Sequence, residues 1–76
     1  MEDYASRPLD TLNTARNKNV MVDMKNGYRY TGKLIAFDIH INIVLSDAEE
    51  FYNGEPKRKL GTVFIRGDTI TIINTT

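Results

Sequence analysis

Cysteine is absent from the 76 residues, and histidine occurs once, as His40. The first absence excludes disulfides and thiolate metal sites, and a lone imidazole is too little for a zinc site. No metal or other cofactor is therefore expected. Net charge is missing as well, because 10 Lys and Arg offset 10 Asp and Glu. That balance argues against a protein that coats duplex DNA, where phosphate neutralisation supplies most of the affinity. A site that reads bases locally survives the exclusion, since net charge says nothing about a focused patch. Long apolar runs are also lacking, and none approaches the roughly 20 residues of a membrane helix. The opening Met1, Glu2, Asp3 and Tyr4 are not the basic-then-apolar order of a signal peptide. No membrane partner and a cytoplasmic location are the expectation.

Length bounds the rest. The chain reads as a single domain over residues 1–76. A domain this short buries only about 60% of its unfolded surface, close to the lower limit for folding alone. Folds of that size take a staple from disulfides, metal or further subunits. With the first two excluded, oligomerisation is the remaining source of stability.

What is present is mostly strand. Ser6-Arg7-Pro8-Leu9-Asp10 reads as a helix start, because proline suits the first helical position, where its missing N–H has no partner. Leu9, Leu12 and Ala15 form a short apolar stripe. The residues 17–19 end the helix after about two or three turns, a length that needs packing to persist. Val20, Val22 and Met24 then alternate with Met21, Asp23 and Lys25, the period of a half-buried strand. Asn26-Gly27 signals a hairpin, and residues 28–38 a long strand with Gly32 at a bulge or sharp bend. Ile41, Ile43 and Leu45 predict a third strand, residues 60–65 a fourth and 69–73 a fifth. The polar segment 51–59, with Asn53-Gly54 and Pro56, predicts a loop or an extended hairpin tip. Lys57-Arg58-Lys59 within it reads as a solvated tip, and Arg66-Gly67-Asp68 as a tight connection. The sum is an all-β domain: a small, strongly bent five-stranded barrel with a short N-terminal helix. Val63-Phe64-Ile65 and Ile72-Ile73 are apolar in both phases, so a face or an edge should meet another copy.

Two segments carry a family resemblance. Residues 32–45, GKLIAFDIHINIVL, are similar to the first Sm motif, with its bend glycine and Asp-x-x-x-Asn core. Residues 65–70, IRGDTI, resemble the second Sm motif. Both lie in order on either side of a variable loop, and Arg7-Pro8-Leu9 also fits archaeal members. The sequence is thus similar to archaeal Sm-like proteins over nearly its whole length.

The resemblance implies closure into a homo-oligomeric ring, usually of seven subunits, through the fourth strand of one copy and the fifth of the next. It implies binding of uridine-rich single-stranded RNA at the pore, in RNA processing, chaperoning or decay. The family's uridine pocket falls on His40, Asn42 and Arg66, with Gly67 and Asp68 beside them. A second RNA contact falls on Arg7 and Phe37, the latter where relatives often carry tyrosine.

These residue types suit the task. A base between imidazole and guanidinium planes gains about 1–3 kcal/mol from stacking, whatever its identity. Only an edge contact selects uracil, and the Asn42 carboxamide offers one acceptor and one donor. A flipped amide would suit cytosine instead, so something must fix it, and Asp68 is the expected partner of the amide's second N–H. On a strand His40 and Asn42 would share a face, while Asp38 is expected to hydrogen-bond the loop that positions His40. A protein-only ring scaffold without base preference is the alternative. An enzyme is not expected: Asp38, His40, Asp47, Glu49 and Glu50 are loosely spaced, with no second histidine and no nucleophile–base pair.

Overall fold

The computed structural model describes residues 7–75. Residues 1–4 and Ser6, from which the leader and helix-start readings drew, lie outside the described residues. Helix α1 spans Pro8–Asn13, with Arg7 extended just before it and proline opening the first turn. It is shorter than the sequence suggests. The chain tightens after it into successive i→i+3 bonds, Ala15 N–H to Leu12 and Arg16 N–H to Asn13. The Thr14 hydroxyl adds a 2.6 Å bond to the Thr11 carbonyl, and Asn17 turns left-handed at φ 67°. Of the predicted stripe, Ala15 is buried and Leu12 packs on the core, while Leu9 is not part of that cluster.

Five antiparallel strands follow: β1 Asn19–Met24, β2 Tyr28–Phe37, β3 Ile43–Tyr52, β4 Glu55–Ile65 and β5 Ile70–Asn74. They form one sheet in the order β4-β3-β2-β1-β5, so β4 and β5 are neighbours in the chain and opposite edges of the sheet. A 3₁₀ turn, Gly67–Thr69, links them. Val20, Val22, Leu34, Ile43, Leu45, Ala48 and Ile65 make a single core drawn from four strands. A sheet that buries one set of side chains from both its edges must curl, and the pairing breaks where it does. Register slips between Thr31 and Lys33 and between Leu34 and Ala36. Gly32 sits at the first slip; a Cβ there would come within 2.9 Å of the Ser46 carbonyl oxygen. The predicted bend glycine is a point of backbone contact between β2 and β3.

Segment 51–59 is the extended hairpin tip rather than a loop. β3 runs on to Tyr52, β4 begins at Glu55, and Asn53-Gly54 turns between them with φ 50° and 84°, the conformation an Asn-Gly hairpin prefers. The third and fourth strands are accordingly longer than predicted. They carry little apolar patterning because the arm stands clear of the core, and cross-strand pairs hold it instead. Tyr28 and Tyr52, opposite in register, have ring centroids 4.6 Å apart. Glu50 is buried, and its carboxylate accepts from the Tyr30 hydroxyl and the Arg58 Nε, both at 2.8 Å. Arg58, expected at a solvated tip, is thus bound into the arm, while Lys57 lies 3.6 Å from Glu55.

Candidate nucleic-acid interface

The sequence motifs 25 residues apart meet where the β2–β3 connection touches the β4–β5 turn. The first of these is a five-residue loop, 38–42, tied across its base by Asp38 N–H to Asn42 O and Ile41 N–H to Asp38 O. Asp38 organises it. Its Oδ1 accepts from the backbone N–H of His40 (2.9 Å) and of Asn42 (3.1 Å), and its Oδ2 from the Asn42 amide (3.1 Å). Those donors, the Asn42 amide foremost, hold the Asp38 carboxyl below the usual carboxylate range. Ile41 is forced to φ 61°, a strained setting for a β-branched residue that costs on the order of 1–3 kcal/mol. Such strain persists only where the surroundings impose it, and it is common at functional sites.

The opposing turn meets this loop backbone to backbone. Gly67 N–H donates to the Asn42 Oδ1 at 2.8 Å. A Cβ on Gly67 would collide with the His40 carbonyl oxygen and lie 2.9 Å from the Ile41 carbonyl carbon. Only glycine permits the approach. Arg66 and Asp68 are joined by a 3.1 Å ion pair, and the Arg66 carbonyl is capped by the Thr69 hydroxyl at 2.7 Å. His40, Asn42, Arg66, Gly67 and Asp68 together line one open groove of about 430 Å³. The structure therefore assembles all five residues singled out in the sequence.

Two details differ from expectation. His40 and Asn42 lie in the loop, not on a strand, because β3 begins only at Ile43. The loop closes on Asp38, and that closure, not strand alternation, sets the two side chains beside each other. The Asn42 amide is also fixed by other partners than Asp68. An ionised carboxylate only accepts and a backbone N–H only donates, so Asp38 and Gly67 allow a single assignment of the amide's ends. Asp68 instead engages Arg66. The Gly67 N–H and the strain at Ile41 were not foreseen; the first is a main-chain donor that side-chain identity does not reveal.

Elsewhere, Arg7 pairs with Asp10 one turn along α1. The cation over the Phe37 ring is that of Arg16, 5.1 Å from its centroid. Among the described residues no group of His, Asp and Glu is arranged to hold a metal, and no helix is long and apolar enough to cross a membrane.

The LSM domain family model matches residues 10–75. The chain belongs to the LSM family. Among its relatives in that family, an snRNP Sm-like protein of Thermococcus sibiricus is 49% identical over 92% of each chain. One from Archaeoglobus fulgidus is 50% identical over 90% of this chain and 88% of its own. Of the solved structures, the Pyrococcus abyssi Sm protein in complex with a uridine heptamer superposes with a TM-score of 0.87. It is 43% identical and matched over 92% of this chain and 99% of that one. The P. aerophilum SmAP1 heptamer gives 0.84 at 33% identity over 91% of this chain and 92% of that one. The bent five-strand sheet with its leading helix is thus the LSM fold, as the sequence resemblance implied.

Proposed function

We propose that this LSM chain, as a single domain, closes into a ring of identical subunits and holds uridine-rich single-stranded RNA at the pore, one uracil per subunit. The observation that carries the reading is the fixed amide of Asn42. With one lone pair of Oδ1 used by Gly67 and one N–H by Asp38, the amide of Asn42, a residue that lines the groove, keeps one acceptor and one donor for a base. Uracil presents the complement, an imino N–H next to a carbonyl. Cytosine presents the reverse and would set lone pair against lone pair and N–H against N–H. A bidentate contact of this kind is worth about 1–3 kcal/mol of discrimination. His40 and the Arg66 guanidinium, steadied by Asp68, supply the planes between which the base stacks.

Ring closure is supported by the edges. Among the described residues β4 pairs only with β3 and β5 only with β1, so the two end the sheet, and related archaeal Sm proteins are heptamers. Seven weak pockets facing one strand add avidity of roughly 10²–10⁴ over one pocket. Arg7 and Phe37 remain the second RNA contact in this reading, with Phe37 shared by Arg16. The molecule is a binding protein of the cytoplasm and not an enzyme, serving RNA processing, chaperoning or decay. Fluorescence anisotropy with heptamers of uridine, cytidine and adenosine tests it, alongside native mass spectrometry. The expected result is a seven-subunit species that binds oligouridine at least tenfold more tightly than oligocytidine. Equal affinity for all three would favour a scaffold, and a monomer would remove the ring.

A further inference from the structure

Among the described residues, Arg7, Arg29, Arg58 and Arg66 are each paired with a carboxylate, that of Asp10, Asp23, Glu50 and Asp68 respectively. Arg16 is the remaining arginine, and its guanidinium meets only neutral acceptors there. Its Nε donates to the Asn13 Oδ1 at 3.1 Å and its Nη1 to the Ile35 carbonyl at a longer 3.5 Å. Between those anchors its Cζ lies over the Phe37 ring, 5.1 Å from the centroid. Phe37 is half-buried against the core, and Arg16 is exposed. The fold thus holds a planar cation in place, backs it with an aromatic ring and leaves its charge uncompensated.

Pairing between copies does not reach this place. Copies would join at β4 and β5, the outermost strands, whereas Ile35 and Phe37 belong to β2, the middle strand of the five. Asn13 ends α1 and Arg16 follows it, both outside the sheet. Two of the N–H donors of Arg16 are spent on its anchors, and the others are left for a ligand.

We propose that Arg16, backed by Phe37, is the plane on which this chain stacks a base at its second RNA contact, and that this contact takes any base. The proposal rests on the RNA-binding reading above and deepens it at that contact: Phe37 supports the platform and Arg16 meets the nucleotide. A guanidinium plane stacks an unpaired base, and its outward N–H groups suit a phosphate oxygen, so one group takes both parts of a nucleotide. The anchors at Asn13 and Ile35 have already ordered the side chain, which lowers the cost of binding. Stacking is tolerant of base identity. The groove at Asn42 is not, since adenine, like cytosine, presents its acceptor and donor in the order opposite to uracil. The pore thus selects uridine, while Arg16 holds whichever nucleotide passes beside α1.

The test uses the intact ring, verified by native mass spectrometry, with labelled pentaadenylate and heptauridine in fluorescence anisotropy. Arg16→Lys keeps the charge and removes the plane. It should bind pentaadenylate about tenfold or more weakly than wild type, the worth of a stacked base, with affinity for uridine monophosphate unchanged. Arg16→Gln, which removes the charge as well, should lose at least as much. Arg66→Gln, in the pore groove, should show the reverse order and cost heptauridine more than pentaadenylate. Pentaadenylate bound as tightly by Arg16→Lys as by wild type would overturn the platform, because charge alone would then suffice. So would a wild-type ring that binds heptauridine and not pentaadenylate. A wild-type ring that binds neither would instead reject the RNA reading on which the proposal rests.

Discussion

Asp38 touches no base in this reading, yet it decides which base the groove accepts. Its carboxylate takes three N–H donors at once, and the only side chain among them is the amide of Asn42. Asp38→Asn puts a donor where an acceptor stood and leaves only the Gly67 N–H to hold the amide against flipping. The ratio of uracil to cytosine affinity should fall by roughly tenfold or more, towards parity, while the stacking share of binding remains. Anisotropy with the two homopolymers measures it. The pH dependence has a definite sign. The folded-state carboxyl sits below its usual value, so its contribution is fully present above about pH 4 and is lost as pH falls through the depressed value. Uracil does not ionise in this range, so the ratio of uridine affinity between wild type and Asp38→Asn, which divides out changes common to both proteins, should hold down through pH 5 and drop only below about 4. Gly67→Ala attacks the same amide from the other side. Its methyl cannot fit against the His40 carbonyl, so the loop must retreat and the N–H to Asn42 is lost. Uracil binding should fall by at least tenfold, with a loss of about 1–3 kcal/mol in stability that a thermal melt would register. The identities of His40, Asn42 and Arg66 were legible in the motifs. The amide's partner was not, because Asp38 and Asp68 offer the same chemistry and only the closure of the loop chooses between them.

At the scale of elements, the helix, the order of strands and the bend glycine could be read from pattern and turn chemistry. The far ends of β3 and β4 could be read only as a choice between a loop and a hairpin tip. Their residues are polar on most positions, and a strand with neither face in a core gives no alternation to detect. Hydrogen bonding around Glu50 replaces hydrophobic burial there. Burial, and then the hydrogen bond to Glu50, push the Tyr30 phenol up to about 12. Arg58 first, and then Tyr30, hold the Glu50 carboxyl below its usual value. Glu50→Gln removes the charge and keeps the shape. Tyr30 should then titrate between 10 and about 12 in an ultraviolet phenolate titration, since burial, the larger cause, is untouched. The raised phenol favours the neutral form in the folded arm. Its contribution is complete below about pH 10 and is lost as pH rises towards 12, over a narrower span in the variant. An unchanged titration would mean that Glu50 does not reach the phenol in solution.

At the scale of the whole molecule, the subunit has a core of eight buried apolar residues among those described and two sheet edges left open. Unpaired edges invite association, and natural proteins that avoid it place lysine or proline there. β5 carries Ile70, Ile72 and Ile73 instead. Ile72 is 55% exposed and contributes nothing to the core of its own subunit. Ile72→Lys therefore separates ring closure from folding. In native mass spectrometry the variant should shift from the ring to smaller species, and its melting temperature should lose the dependence on protein concentration that mass action gives an assembly. Affinity per subunit for uridine monophosphate should be unchanged, because the loop 38–42 and the turn 66–68 belong to one chain. Affinity for heptauridine should fall by roughly 10²–10⁴, the avidity lost when pockets no longer share a strand. The two losses are separable. A variant that dissociates and still binds heptauridine as tightly as the wild type would show that one subunit is enough. A variant that loses the mononucleotide as well would show that the neighbour helps to build the groove.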